Sequence, residues 1–116
     1  MVVGIGIDIV EISRIRTAVD KWGDKFIERI FTPPEIAYAR SHTLPFQHYA
    51  GRFAAKEAIY KALGDQSVTW KDITVINDVS GKPSCSVKRL RAGTIIHISI
   101  SHSKYYAVAN AVVETK

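Results

Sequence analysis

Residues 2–10, VVGIGIDIV, alternate without a break: Ile5, Ile7 and Ile9 fall on one side, Gly4, Gly6 and Asp8 on the other. A period of two is that of an extended strand, so the chain begins with a β-strand whose two faces differ sharply in size. The glycine face allows another backbone or a ligand to approach closely. Asp8 lies on that bare face, and a mid-strand carboxylate is disfavoured unless something answers its charge. GIGIDI also resembles part of a dinucleotide fingerprint. Ile9 occupies the place of the third glycine, however, and no parallel strand follows, so that reading is set aside.

The period then changes. EISRIRTAVDKW spaces Ile12, Ile15 and Val19 as one helix face with Arg14, Arg16 and Lys21 outside it, and DKFIERIF predicts a further turn or two. TPPEIAYARSH places Thr32, Pro33 and Glu35 at N-cap, N1 and N3, a capping box with proline in its preferred place. A longer helix is expected from near Pro45 to Gly64, a natural C-terminal stop. Beyond it ITVINDV, SCSV, TIIHISIS and YYAVANAVV are β-rich runs divided by SGKP, RAG and HSK. Two of these breaks read as hairpins, which makes the strands antiparallel. The expectation is one α+β domain over residues 1–116, with helices packed on an antiparallel sheet.

GRFAAKEAIYKALG, residues 51–64, carries charge where packing is tightest. Glu57 and Lys61 stand four residues apart in the favourable order, roughly 40° apart on the wheel, between Phe53 and Ala54. As surface decoration such a pair contributes only a few tenths of a kcal/mol. With small alanines beside it, the pair is also expected to face space for a ligand. SISHS sets His102 among Ser99, Ser101 and Ser103 at a strand end, hydroxyls and an imidazole suited to phosphate oxygens. No acid is placed to orient His102 for nucleophilic catalysis. His42, His48 and His97 read as structural or exposed.

The net charge is +5, and most of the basic residues fall at 14–25, 52–61 and 82–91, which favours anionic partners. No apolar run approaches the roughly 20 residues of a membrane span. Cys85 is the only cysteine, so no intrachain disulfide and no thiolate metal cage is expected, and a reducing cytoplasm is the default. Carboxylates without soft ligands suit Mg²⁺, which keeps waters and shares its shell with substrate phosphates. Asp8 and Glu57 on one ion, with Lys61 alongside, would make a phosphoryl-transfer site.

These pieces in this order resemble the holo-acyl-carrier-protein synthases, the small bacterial 4′-phosphopantetheinyl transferases. GIGIDIVEISRI, GRFAAKEAIYKALG and SISHS carry the resemblance, and DITVINDVSGKP at 72–83 supports it. The resemblance implies Mg²⁺-dependent transfer of 4′-phosphopantetheine from coenzyme A to a serine of apo-acyl carrier protein, releasing adenosine 3′,5′-bisphosphate. It implies Asp8 and Glu57 as metal ligands and Lys61 as the cation that answers developing phosphoryl charge. It places Arg52, Gly81, Lys82, Pro83, Ser101, His102 and Ser103 against the nucleotide and its phosphates. Glu57 or a metal-bound water would take the serine proton. A trimer with sites between chains follows from the family pattern, as does docking of the acidic carrier on the first helix, with Arg14 foremost. One departure stands out: SCSVKRLRAGTIIH is too short for the helix the family has there, so that helix should be clipped or absent. The rival readings are a basic nucleic-acid-binding module and a non-enzymatic oligomerising domain. The first lacks an aromatic-studded basic stripe.

Overall fold

A computed structural model describes residues 1–116. Strand β1 (Val2–Glu11) is followed by helices α1 (Ile12–Trp22), α2 (Asp24–Ile30), α3 (Pro33–Arg40) and α4 (Pro45–Leu63). Strands β2 (Ile73–Asn77), β3 (Pro83–Val87), β4 (Thr94–His102) and β5 (Tyr106–Thr115) close the chain. Every pairing is antiparallel, with order β1-β5-β4 in a three-stranded sheet and β2-β3 in a two-stranded one. The α+β architecture, both hairpins and the span of α4 agree with the sequence patterns. Only turns connect β3 to β4, so the helix expected to be clipped or absent is absent. No helix is long and apolar enough to cross a membrane.

The two faces of β1 decide how α4 sits. The glycine face turns inward: a Cβ at Gly4 would lie 1.9 Å from the carbonyl oxygen of Ala62, and one at Gly6 would lie 2.0 Å from that of Ala58. The strand meets the helix backbone to backbone, which only residues without side chains permit. Ala54, Ala55, Ala58 and Ala62 are all buried in the core beneath the sheet. This corrects the expectation that the small residues of α4 leave room for a ligand, because the strand itself fills that room. Ile5, Ile7 and Ile9 are correspondingly 71%, 64% and 62% exposed on the outer face. At the other end of α4, Gly64 takes the left-handed conformation (φ 68°) that ends the helix, and its N–H donates to the Tyr60 carbonyl.

A second set of contacts pins α4 to α3 and β2. Glu35 is fully buried. One of its oxygens accepts from the Thr32 N–H (2.8 Å), completing the capping box, and from the Lys56 ammonium. The other accepts from the Val75 N–H at 2.8 Å. Lys56 also donates to the carbonyl of Ile30 at the end of α2 (2.7 Å). A buried carboxylate is tolerated because both of its oxygens accept hydrogen bonds and the Lys56 ammonium answers its charge.

Candidate active site

Asp8 is carried on the inner face of β1 at the level of Ala109 of β5, so its carboxylate points toward α4. Lys61 reaches it from the last turn of α4, donating to Asp8 Oδ1 (3.2 Å) and to the Ile7 carbonyl (3.1 Å). The Asp8 side chain is only 18% exposed, whereas Lys61 is half exposed. Glu57, one helical turn earlier, is half-buried. Its carboxyl is pushed up by burial first and by repulsion from Asp8 second, with Lys61 offsetting part of the effect. The three side chains singled out in the sequence are therefore brought together. The helical ion pair is not formed, since Lys61 bonds Asp8 across the fold and not Glu57 along the helix.

Two carboxylates and one ammonium sum to a net negative charge in a partly desolvated pocket, and burial first, with the Asp8 charge second, raises the Glu57 carboxyl there. Such a site could hold a hard cation. No third His, Cys, Asp or Glu joins the pair to make a full protein cage, so waters and substrate oxygens would complete the shell, as suits Mg²⁺. Beside Glu57 a cleft of about 310 Å³ runs past Tyr60, Val68, Trp70 and Ile73. Trp70 stacks on Phe53 there, with ring centroids 5.0 Å apart.

The remaining candidates gather elsewhere. Arg52 lies five residues before Glu57, roughly 140° around α4. It is only 3% exposed, and its guanidinium donates to the Asn77 side-chain oxygen and stacks 3.7 Å over the Tyr38 ring. Asn77 in turn donates to the Gly81 carbonyl (2.8 Å). Gly81 and Lys82 are exposed in the β2–β3 turn, and Pro83 opens β3.

Alternation along β4 splits the SISHS group. His102, paired with the buried Ala107, lies on the α4 side of the sheet yet is exposed, and its ring meets that of His48 edge-on at 5.9 Å. Ser101, paired with Val108, faces the other side of the sheet. Ser103 sits in the β4–β5 hairpin, its hydroxyl accepting from the Tyr106 N–H. Arg14 is exposed on α1.

Sequence patterns missed the aromatic wall around Arg52. His42 stacks on His48 at 3.9 Å, and Tyr38 packs against both. Burial, then the charges His42, His102 and Arg52 would place beside it, pull His48 down to about 4. The available signal was the i,i+4 spacing of His48 and Arg52, which puts them on one helix face.

Residues 4–113 match the family model described as the 4′-phosphopantetheinyl transferase superfamily. The chain is 45% identical to the holo-[acyl-carrier-protein] synthase of Protochlamydia amoebophila, with 97% of this chain and 98% of that protein aligned. It is 47% identical to that of Chlorobaculum tepidum, with the same coverage. Its fold is similar to a crystal structure of the Bacillus anthracis holo-(acyl-carrier-protein) synthase in complex with CoA (3′,5′-ADP). There the TM-score is 0.87 at 45% identity, over 100% of this chain and 99% of that one.

Proposed function

Because the chain belongs to the 4′-phosphopantetheinyl transferase superfamily, we propose that Asp8, Glu57 and Lys61 form the reacting centre of a holo-acyl-carrier-protein synthase. The enzyme transfers 4′-phosphopantetheine from coenzyme A to a serine hydroxyl of apo-acyl carrier protein. The serine oxygen forms a bond to the pantetheine-side phosphorus, the pyrophosphate bond breaks, and adenosine 3′,5′-bisphosphate leaves. The rival reading, a basic module binding nucleic acid or merely oligomerising, is not favoured by relatives named as synthases over nearly the whole chain.

One observation carries the site assignment: a strand carboxylate and a helix carboxylate sit close enough to repel, with an ammonium bonded to only one of them. Asp8 and Glu57 would hold Mg²⁺, which supplies neutralising charge to a pyrophosphate. Lys61 is half exposed, so its ammonium can donate to a phosphoryl oxygen as charge builds there. The cleft beside Glu57, apolar on the Val68, Trp70 and Ile73 side, suits the pantetheine arm. The β2–β3 turn with Lys82 and the exposed His102 suit the nucleotide phosphates. Arg14, exposed on a basic α1, suits an acidic carrier.

The two groups of candidates favour an assembly. Asp8 belongs to β1 and His102 to β4, the two edge strands of the three-stranded sheet, with β5 between them. A trimer that sets one chain's β1 side against a neighbour's β4 side would join the halves. The exposed Ile5, Ile7 and Ile9 stripe is the apolar surface such contacts need. A lone free cysteine and a coenzyme A substrate suit a reducing cytoplasm.

The test is a mass measurement. Incubation with coenzyme A, Mg²⁺ and apo-carrier should add the mass of phosphopantetheine to the carrier, and Asp8→Ala or Glu57→Ala should abolish the gain. Undiminished transfer in excess EDTA would overturn the metal assignment.

A further inference from the structure

The β2–β3 hairpin has a weakness at its mouth. Asn77, the last residue of β2, pairs with Pro83, which has no N–H to give the ladder. The turn beyond is organised internally by Asp78. Its carboxylate accepts from the backbone N–H groups of Ser80 (2.9 Å) and Lys82 (3.0 Å), and its own N–H donates to the Lys82 carbonyl (2.9 Å). Gly81 adopts φ 90°, a conformation that side chains resist. These bonds shape the turn but fix nothing about where it stands relative to α4.

Asn77 supplies that reference. Its side-chain oxygen accepts from Arg52, which is buried in α4 and stacked on Tyr38. Its side-chain nitrogen donates to the Gly81 carbonyl. A carboxamide can accept on one side and donate on the other. A carboxylate cannot donate, and an apolar side chain does neither.

We propose that Asn77 is a positioning residue for coenzyme binding, tying the Gly81–Lys82 turn to the helix that carries Glu57 and Lys61. Arg52 then acts from behind the turn, through Asn77, and Lys82 is held at a fixed offset from its own chain's α4 and, across the proposed assembly, from the neighbour's reacting centre. The inference rests on the coenzyme-binding reading of this turn.

Asn77→Asp keeps the acceptor for Arg52 and removes only the donor to Gly81. Asn77→Leu removes both without adding charge. Asn77→Asp should keep the melting temperature, whereas Asn77→Leu should lower it because the buried Arg52 guanidinium loses its acceptor, and both should speed hydrogen exchange at the Gly81 and Lys82 amides. The KM for coenzyme A and the Kd for adenosine 3′,5′-bisphosphate should rise about five- to tenfold, with kcat and the KM for apo-carrier within about twofold. Unchanged coenzyme KM in both variants, or a fall in kcat alone, would overturn the inference and leave the enzyme reading intact. A rise in Asn77→Asp without one in Asn77→Leu would assign the effect to charge and overturn it too. A wild-type chain that never loads the carrier overturns the reading and the inference together.

Discussion

Lys56 and Glu35 form an ion pair 2.5 Å long in which neither side chain is exposed. Burial pulls the Lys56 ammonium down, and Glu35 restores part of that loss. Breaking the pair from one side leaves a buried charge without its partner, which typically costs about 3–5 kcal/mol. Lys56→Met is expected to lose that much in urea denaturation, since Glu35 would keep only its backbone N–H donors. Lys56→Met combined with Glu35→Gln removes both charges and should recover a substantial part of the loss.

The same residue shows what sequence patterns can and cannot reveal. Thr32, Pro33 and Glu35 announced the start of α3 because a capping box is a local device, complete within four residues. The other bonds of Glu35 go to Lys56 and Val75, 21 and 40 residues away, and no periodicity encodes them. The alternation of β1 was equally plain, but alternation defines two faces without saying which is inside. Isoleucines would ordinarily be assigned inward, and here the glycines are, because α4 approaches within backbone contact. Asp8, Glu57 and Lys61 were legible through the family pattern. Asn77 and the histidine wall were not, since their roles arise only when α4, β2 and β4 meet.

Close approach at Gly6 sets the offset between Asp8 and the last two turns of α4. Gly6→Ala would put a methyl group 2.0 Å from the Ala58 carbonyl oxygen, and the atoms it meets are backbone that no rotamer change can relieve. A loss of about 3 kcal/mol in chemical denaturation is expected, at the upper end of overpacking costs. Transfer activity should fall even below the unfolding transition, because the carboxylates separate.

The burial of Glu57, with Asp8 beside it, makes a prediction for the protein without substrate. Glu57's raised carboxyl favours its protonated form on folding, so this contribution is fullest at low pH and is lost as pH rises through the folded-state value. At pH 7 the ionised pair is a cost that a divalent cation relieves. Mg²⁺ should therefore raise the melting temperature of the wild-type chain. Glu57→Gln should melt about 2–5 °C higher without metal and show no Mg²⁺ shift. Differential scanning fluorimetry with EDTA as reference reads both effects.

His48 predicts the opposite pH trend. Held neutral down to about 4 against an ordinary 6.5, it contributes stability that is complete above about pH 6.5 and is lost as pH falls toward 4. Phenylalanine keeps a ring to stack on His42 and carries no titratable proton. Melting curves between pH 4 and 7 should fall less steeply for His48→Phe than for the wild-type chain. Identical slopes would show that the histidine wall does not titrate in this way.

The outer face of β1 offers the test of assembly. Ile7 is 64% exposed, its side chain on the side of the strand opposite Asp8, and only its backbone carbonyl, which a side-chain substitution keeps, meets the reacting centre by accepting from Lys61. Ile7→Glu should leave the fold unchanged by circular dichroism, because its side chain has no core role to lose. In a trimer built on this stripe, three carboxylates would enter apolar contacts, and sedimentation should show dissociation to the monomer. Sites shared between chains would then separate into halves, Asp8 with Glu57 on one side and His102 with Lys82 on the other. Carrier loading should drop at least about tenfold at low enzyme concentration and recover partly as concentration drives reassembly. A monomeric variant with full activity would place both halves in one chain and end the shared-site reading.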